Sequence, residues 1–102
     1  MNVRPKKYLG QHFLTDLSVA RRIAGALRAD RCRTVLEVGC GTGVLTQFLL
    51  RRGDITTYGA EIDPESVAYL HAHYPEFAPR LVAGDFLGMN LRERFPEGLK
   101  II

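Results

Sequence analysis

Along the chain, short runs of β-branched and aliphatic residues alternate with stretches in which apolar positions recur every three or four residues. Residues 1–15 show neither period. They mix Arg4, Lys6 and Lys7 with Tyr8 and Phe13 around Pro5 and Gly10, the pattern of an ordered arm or loop. From Asp16, a good N-cap, Val19, Ile23, Ala26 and Leu27 fall at helical spacing and predict an amphipathic helix running to about Asp30. Thr34 to Val38 is β-rich and mostly apolar, a strand that feeds directly into Gly39-Cys40-Gly41-Thr42-Gly43. Val44, Leu45, Phe48 and Leu49 then predict a helix that ends on Arg51, Arg52 and a stop at Gly53. Thr56 to Ile62 reads as a second strand. Asp63-Pro64-Glu65 supplies an N-cap, a first-turn proline and a first-turn acid for a helix over residues 64–73. Leu81-Val82-Ala83 is a third strand, and residues 99–102 open a fourth.

Strands alternating with helices at this spacing imply βαβ units, and therefore a parallel α/β sheet with right-handed crossovers. At 102 residues one core is expected. The last residues lie inside an apolar strand, which predicts a piece of a larger domain rather than a complete one. A composition of 46% hydrophobic and 25% charged residues excludes a disordered or fibrous chain. No apolar run approaches the roughly 18 residues of a membrane span, and no secretory signal opens the chain, so a cytoplasmic protein is expected. Cys32 and Cys40 have neither metal-ligand nor disulfide-scaffold spacing and read as reduced thiols; His71 and His73, two apart on a helix, do not make a metal pair. No metal is expected.

Charge is unevenly spread. Residues 1–33 hold eight Lys/Arg against two Asp/Glu, a net +6, whereas residues 34–102 carry −3. A polyanion would meet the N-terminal third first, although a solvated arm and an exposed helix face account for the same charge.

In a parallel α/β sheet the ligand sits outside the carboxyl ends of the strands, which directs attention to the Gly39 loop, Glu61 and Asp85. Gly39, Gly41 and Gly43 allow a sharp turn and a close approach of ligand to backbone. Their G-x-G-x-G spacing departs from the dinucleotide fingerprint, and no Gly-Lys-Ser/Thr follows to make a phosphate loop. Glu61 ends the second strand, where a carboxylate accepts hydrogen bonds from ribose hydroxyls; the alternative is a carboxylate facing solvent. Asp85 ends the third strand, placed either to accept from an adenine amine or to cap a turn. Glu37 adds a carboxylate near the place of a ligand ammonium. Phe77, Phe86 and Phe95 read as core or loop packing.

Glu37-Val38-Gly39-Cys40-Gly41-Thr42-Gly43, Glu61-Ile62-Asp63 and Gly84-Asp85-Phe86-Leu87 resemble the first three motifs of class I S-adenosylmethionine-dependent methyltransferases. Lys6-Lys7-Tyr8-Leu9-Gly10-Gln11-His12-Phe13-Leu14 is similar to the arm signature of the KsgA-type ribosomal RNA adenine dimethyltransferases. The resemblance spans essentially the whole chain. It implies a Rossmann-like class I methyltransferase fold, here a partial parallel sheet with an N-terminal arm and helix, and S-adenosyl-L-methionine as cofactor. It implies transfer of methyl groups to adjacent adenines of 16S ribosomal RNA, with small-subunit ribosomal RNA or a pre-30S particle as partner and a monomeric parent protein.

By the same resemblance, His12 and Leu14 close the pocket over the cofactor, Gly39 contacts its amino-acid portion, Glu61 binds the ribose and Asp85 the adenine. Arg4, Lys6, Lys7 and Tyr8 suit RNA phosphate contact and stacking. Cys40 stands where many members carry proline. The family's fourth, Asn-Leu-Pro-Tyr-like motif has no counterpart in these residues. An exocyclic adenine amine is a poor nucleophile and must be unstacked, held and oriented, so the resemblance implies cofactor binding without turnover and no catalytic residue in this chain. The alternatives are a large-subunit ribosomal RNA methyltransferase, a dinucleotide-binding oxidoreductase domain, against which the glycine spacing and Asp85 argue, and a non-catalytic RNA-binding protein on the same fold.

Overall fold

A computed structural model describes residues 16–102. It contains α1 (Leu17–Ala26), β1 (Thr34–Val38), α2 (Thr46–Leu50), β2 (Thr56–Glu61), α3 (Pro64–His73), β3 (Leu81–Ala83), α4 (Leu91–Arg94) and β4 (Lys100–Ile101). Short 3₁₀ turns stand at Ala78–Arg80 and Phe86–Gly88. All strand pairs are parallel, in the order β3-β2-β1-β4. After β3 the chain crosses back to the far side of β1, so the direction of winding reverses between β1 and β4. The carboxyl ends beside such a reversal are where doubly wound folds hold their ligands.

Local chemistry accounts for most element boundaries. Asp16 caps α1 by accepting from the Ser18 N–H at 2.9 Å, and Asp63 caps α3 by accepting from Ser66 N–H and Oγ at 3.1 and 2.8 Å. β1 and α3 have the limits expected from sequence. Helix α1 does not: it ends at Ala26 instead of running to Asp30, because Leu27 turns extended (ψ 128°). That turn lets Leu27 pack against the cluster of Ala24, Leu45 and Leu49. Its buried face is also different, formed by Ala20 and Ala24, while Ile23 stays 38% exposed. Two alanines let α1 and α2 approach closely. Helix α2 begins only at Thr46, because the loop turns through Gly41–Leu45 first. Strand β2 stops at Glu61, leaving Ile62 57% exposed.

Further along the same face of the sheet Cys40, Leu70 and Phe77 form a second cluster with Leu50, Tyr74 and Leu81 against it. Phe77 is fully buried, as its sequence setting implied, and Phe95 meets Tyr58 edge to face at 4.9 Å. Asn90 caps the short α4 by accepting from the Glu93 N–H at 3.3 Å. No helix among the described residues is long and apolar enough to cross a membrane.

Candidate functional site

The parallel register brings the ends of three strands side by side. Val38 pairs with Ala60, Glu61 with Ala83, and the ladder continues as the Gly39 N–H donates to Ala60 O and the Gly84 N–H to Glu61 O, both at 2.8 Å. Above these ends lies a cavity of about 250 Å³ lined by Val38, Gly39, Ala60, Glu61, Ile62, Gly84, Asp85 and Phe86. Gly39, Gly41 and Gly43 all have positive φ (73°, 57° and 85°), so the loop depends on residues without a Cβ. A methyl group added at Gly39 or Gly84 meets no protein atom within 4 Å, which leaves the space beside both glycines open to a ligand.

Glu61 is the hinge of the site. It is 1% exposed, and its Oε1 accepts from the Gly41 N–H at 2.6 Å while Oε2 accepts from the Asp63 N–H at 2.8 Å. One side chain thus fixes the glycine loop to the start of α3 and still presents its carboxylate to the cavity wall. Asp85 lines the opposite side; it is exposed, and its Oδ1 accepts from the Leu87 N–H at 3.0 Å. It therefore caps a turn, one of its two sequence readings, and borders the pocket at once.

The remaining candidates fall in three places. Gly39 is in the wall. Gly41 is buried and acts through its N–H on Glu61, and Glu37 lies beneath the loop instead of in the cavity lining. Glu37 Oε1 accepts a 2.5 Å hydrogen bond from Thr46 Oγ1, and its buried Oε2 has no hydrogen-bond partner among the described residues. Burial pushes its carboxyl up to about 7, with the Glu61 carboxylate adding to the effect. His12, Leu14, Arg4, Lys6, Lys7 and Tyr8 lie outside the described residues. Cys40 is buried, its thiol is pushed far up by burial and by the neighbouring Glu37 and Glu61 carboxylates, and its Sγ faces the Glu37 and Ala60 carbonyls. It is an inert packing residue.

Five wall residues, Val38, Ala60, Ile62, Gly84 and Phe86, were not among the sequence candidates. Ile62 and Phe86 give the cavity apolar sides between its two carboxylates. Their positions immediately after Glu61 and Asp85 were the available signal, since residues that follow two site-bearing strand ends border the same crevice. Among the described residues no cluster of His, Cys, Asp and Glu could hold a metal ion.

A parallel sheet of this order, with a glycine loop after β1 and acids after β2 and β3, defines a Rossmann-like methyltransferase fold. The solved structures agree. Over 89% of this chain and 39% of its own, the S-adenosylmethionine-bound amino pentose methyltransferase CalS10 from Micromonospora echinaspora aligns with a TM-score of 0.56 and 28% identity. An RNA methyltransferase from Salinibacter ruber, in complex with S-adenosyl-L-homocysteine, aligns with a TM-score of 0.52 and 20% identity over 90% of this chain and 56% of its own, a likeness of fold.

The family model of ribosomal RNA adenine dimethylases matches residues 2–98, and the chain belongs to that family. Ribosomal RNA small subunit methyltransferase A of Porphyromonas gingivalis is 54% identical over 96% of this chain, and that of Bacteroides thetaiotaomicron is 50% identical over 91%. The chain spans 38% and 34% of the length of these two relatives.

Proposed function

We propose that these residues form the S-adenosyl-L-methionine-binding part of an enzyme that methylates adjacent adenines of 16S ribosomal RNA. The observation that carries this reading is Glu61, whose two oxygens tie the Gly41 and Asp63 N–H groups together at the floor of a cavity with Gly39 on one side and Asp85 on the other. The Glu61 carboxylate accepts the ribose hydroxyls, and Asp85 Oδ2, which accepts nothing among the described residues, takes the adenine amine. Ile62 and Phe86 cover the faces of the base. Gly39 admits the amino-acid portion to the backbone. Glu37, held under the loop by Thr46, supplies negative charge toward the ligand ammonium. His12 and Leu14 close the pocket from the arm, and Arg4, Lys6, Lys7 and Tyr8 contact RNA. The cofactor supplies a methyl group activated on a sulfonium; this chain binds and orients it.

The relatives' name, ribosomal RNA small subunit methyltransferase A, favours small-subunit over large-subunit RNA as the substrate. The parent protein acts as a monomer in the cytoplasm, on that RNA or on a pre-30S particle. Titration calorimetry tests the cofactor reading. S-adenosyl-L-homocysteine should give a saturating heat and NAD none, and Glu61→Gln should weaken the binding about tenfold or more, because an amide places N–H groups where a backbone N–H or a hydroxyl donates. Heat with NAD but not with S-adenosyl-L-homocysteine would overturn it.

A further inference from the structure

Away from the cofactor cavity, Arg21, Ala24 and Gly25 of α1 and Phe48, Arg51 and Arg52 of α2 and the residues after it enclose a hollow of about 310 Å³. Three guanidiniums line it, and they are not equivalent. Arg52 is committed to the fold: its Nη1 donates to the Ala24 and Leu27 carbonyls at 2.9 and 2.5 Å, and its Nε and Nη2 donate to Asp54. Arg21 and Arg51 are exposed, and their guanidinium carbons stand 5.6 and 5.3 Å from the centroid of the same Phe48 ring.

Neither Arg21 nor Arg51 pairs with a carboxylate among the described residues. Two cations converging on one half-buried ring repel each other, and Asp54, the acid nearest to Arg51 in sequence, is already engaged by Arg52. A phosphate between them would relieve that repulsion through charge-assisted hydrogen bonds. The floor beside them is low, since Ala24 is small and a Cβ at Gly25 would meet nothing within 4 Å.

We propose that this groove is an RNA-docking site outside the cofactor cavity, in which Arg21 and Arg51 grip backbone phosphates and Phe48 takes the face of a ribose or base. The inference rests on the ribosomal RNA reading above and deepens it by placing a contact surface. RNA is favoured over other polyanions because an aromatic ring set among guanidiniums offers stacking as well as charge. Arg51 directly follows the last residue of α2, about 8 Å along the helix from Thr46.

The test is the salt dependence of binding to an in vitro transcript of small-subunit ribosomal RNA, measured by fluorescence anisotropy on the full chain. Each lost phosphate contact lowers the log–log salt slope by about 0.9, so R21Q/R51Q should reduce it by about two and weaken binding about tenfold or more at 0.15 M salt. R21K/R51K should keep the slope and recover part of the affinity. F48L should keep the slope and lose about fivefold in affinity. R92Q/R94Q, which removes two exposed charges from α4, should leave the slope unchanged.

An unaltered slope in R21Q/R51Q, an equal loss in R92Q/R94Q, or binding to phosphatidylglycerol vesicles in place of RNA would overturn the proposal. Calorimetry with S-adenosyl-L-homocysteine on the same samples reports folding and separates the two inferences. Normal cofactor heat with an unaltered RNA slope removes the groove alone; loss of both cofactor and RNA binding in the unsubstituted chain removes the enzyme reading and the groove with it.

Discussion

Two buried glutamates, one at a strand end and one a residue short of it, have opposite fates. Glu61 accepts from two backbone N–H groups, whereas Glu37 has a single hydroxyl donor and an oxygen without a partner among the described residues. Desolvation therefore dominates at Glu37 and raises its carboxyl from 4.5 to about 7. A carboxyl whose folded value is raised adds stability that is fully present below its unfolded value and is lost as pH rises through the folded one. Between about pH 4.5 and 7 the ligand-free chain should lose about 3 kcal/mol from this group. Glu37→Gln keeps an acceptor for Thr46 and abolishes the titration. Urea unfolding at pH 5 and pH 8 should therefore show the variant equal to or below the unsubstituted chain at pH 5 and above it at pH 8. Parallel pH profiles for the two proteins would rule out this account. Sequence marked both glutamates by their places near strand ends, but it could not separate them, because the difference lies in which backbone donors fold back on each carboxylate.

Elements whose limits are set by neighbours in sequence were legible, and those set from a distance were not. The Asp63-Pro64 start of α3 and the β-rich run of β1 carry their own signals, and both have the predicted bounds. The end of α1 depends on Arg52, 28 and 25 residues beyond the carbonyls it caps, and in sequence that arginine looked like part of the last turn of α2. Arg52→Lys keeps the charge but loses the planar fork that serves Asp54 and two carbonyls together. Amide exchange in the last turn of α1 should then accelerate about tenfold, with a lower Tm, while α3 stays protected. Unchanged exchange there would mean that Leu27 packing alone ends the helix. Gly59 is the other case. Nothing in the sequence sets it apart inside β2, yet a Cβ there would stand 2.6 Å from both Cys40 Sγ and Phe77 Cζ. Gly59→Ala should cost about 1–3 kcal/mol by overpacking. Adding Phe77→Leu, which removes one of the two clashing atoms, should make the combined loss smaller than the sum of the single losses, measured by urea unfolding.

At the scale of the whole molecule, the sheet ends in two edges, β3 and β4, and the second is poorly guarded. Edge strands are usually protected by a lysine that points into solvent. Lys100 is the only lysine on β4, and its ammonium is turned back toward the connection before β1, where it donates to the Arg28 carbonyl and stands 3.8 Å from Asp30. Ile101 beside it is 54% exposed. Among the described residues nothing pairs with the outer side of β4, which lies next to an apolar side chain, and the 102-residue chain should self-associate as its concentration rises. The uneven charge, +6 on residues 1–33 against −3 on the remainder, offers a competing cause, since opposite halves of two copies attract. Salt separates the two. Attraction between charged halves weakens as the Debye length falls from about 10 Å at 0.1 M to about 3 Å at 1 M, whereas strand pairing and apolar burial do not. Sedimentation velocity should therefore show association that persists at 1 M salt and is reduced by Ile101→Lys, which places a free cation on the edge. Dissociation by salt, with no effect of the substitution, would assign the contact to the charged halves. A single monomeric boundary at every concentration would show that the edge is protected after all.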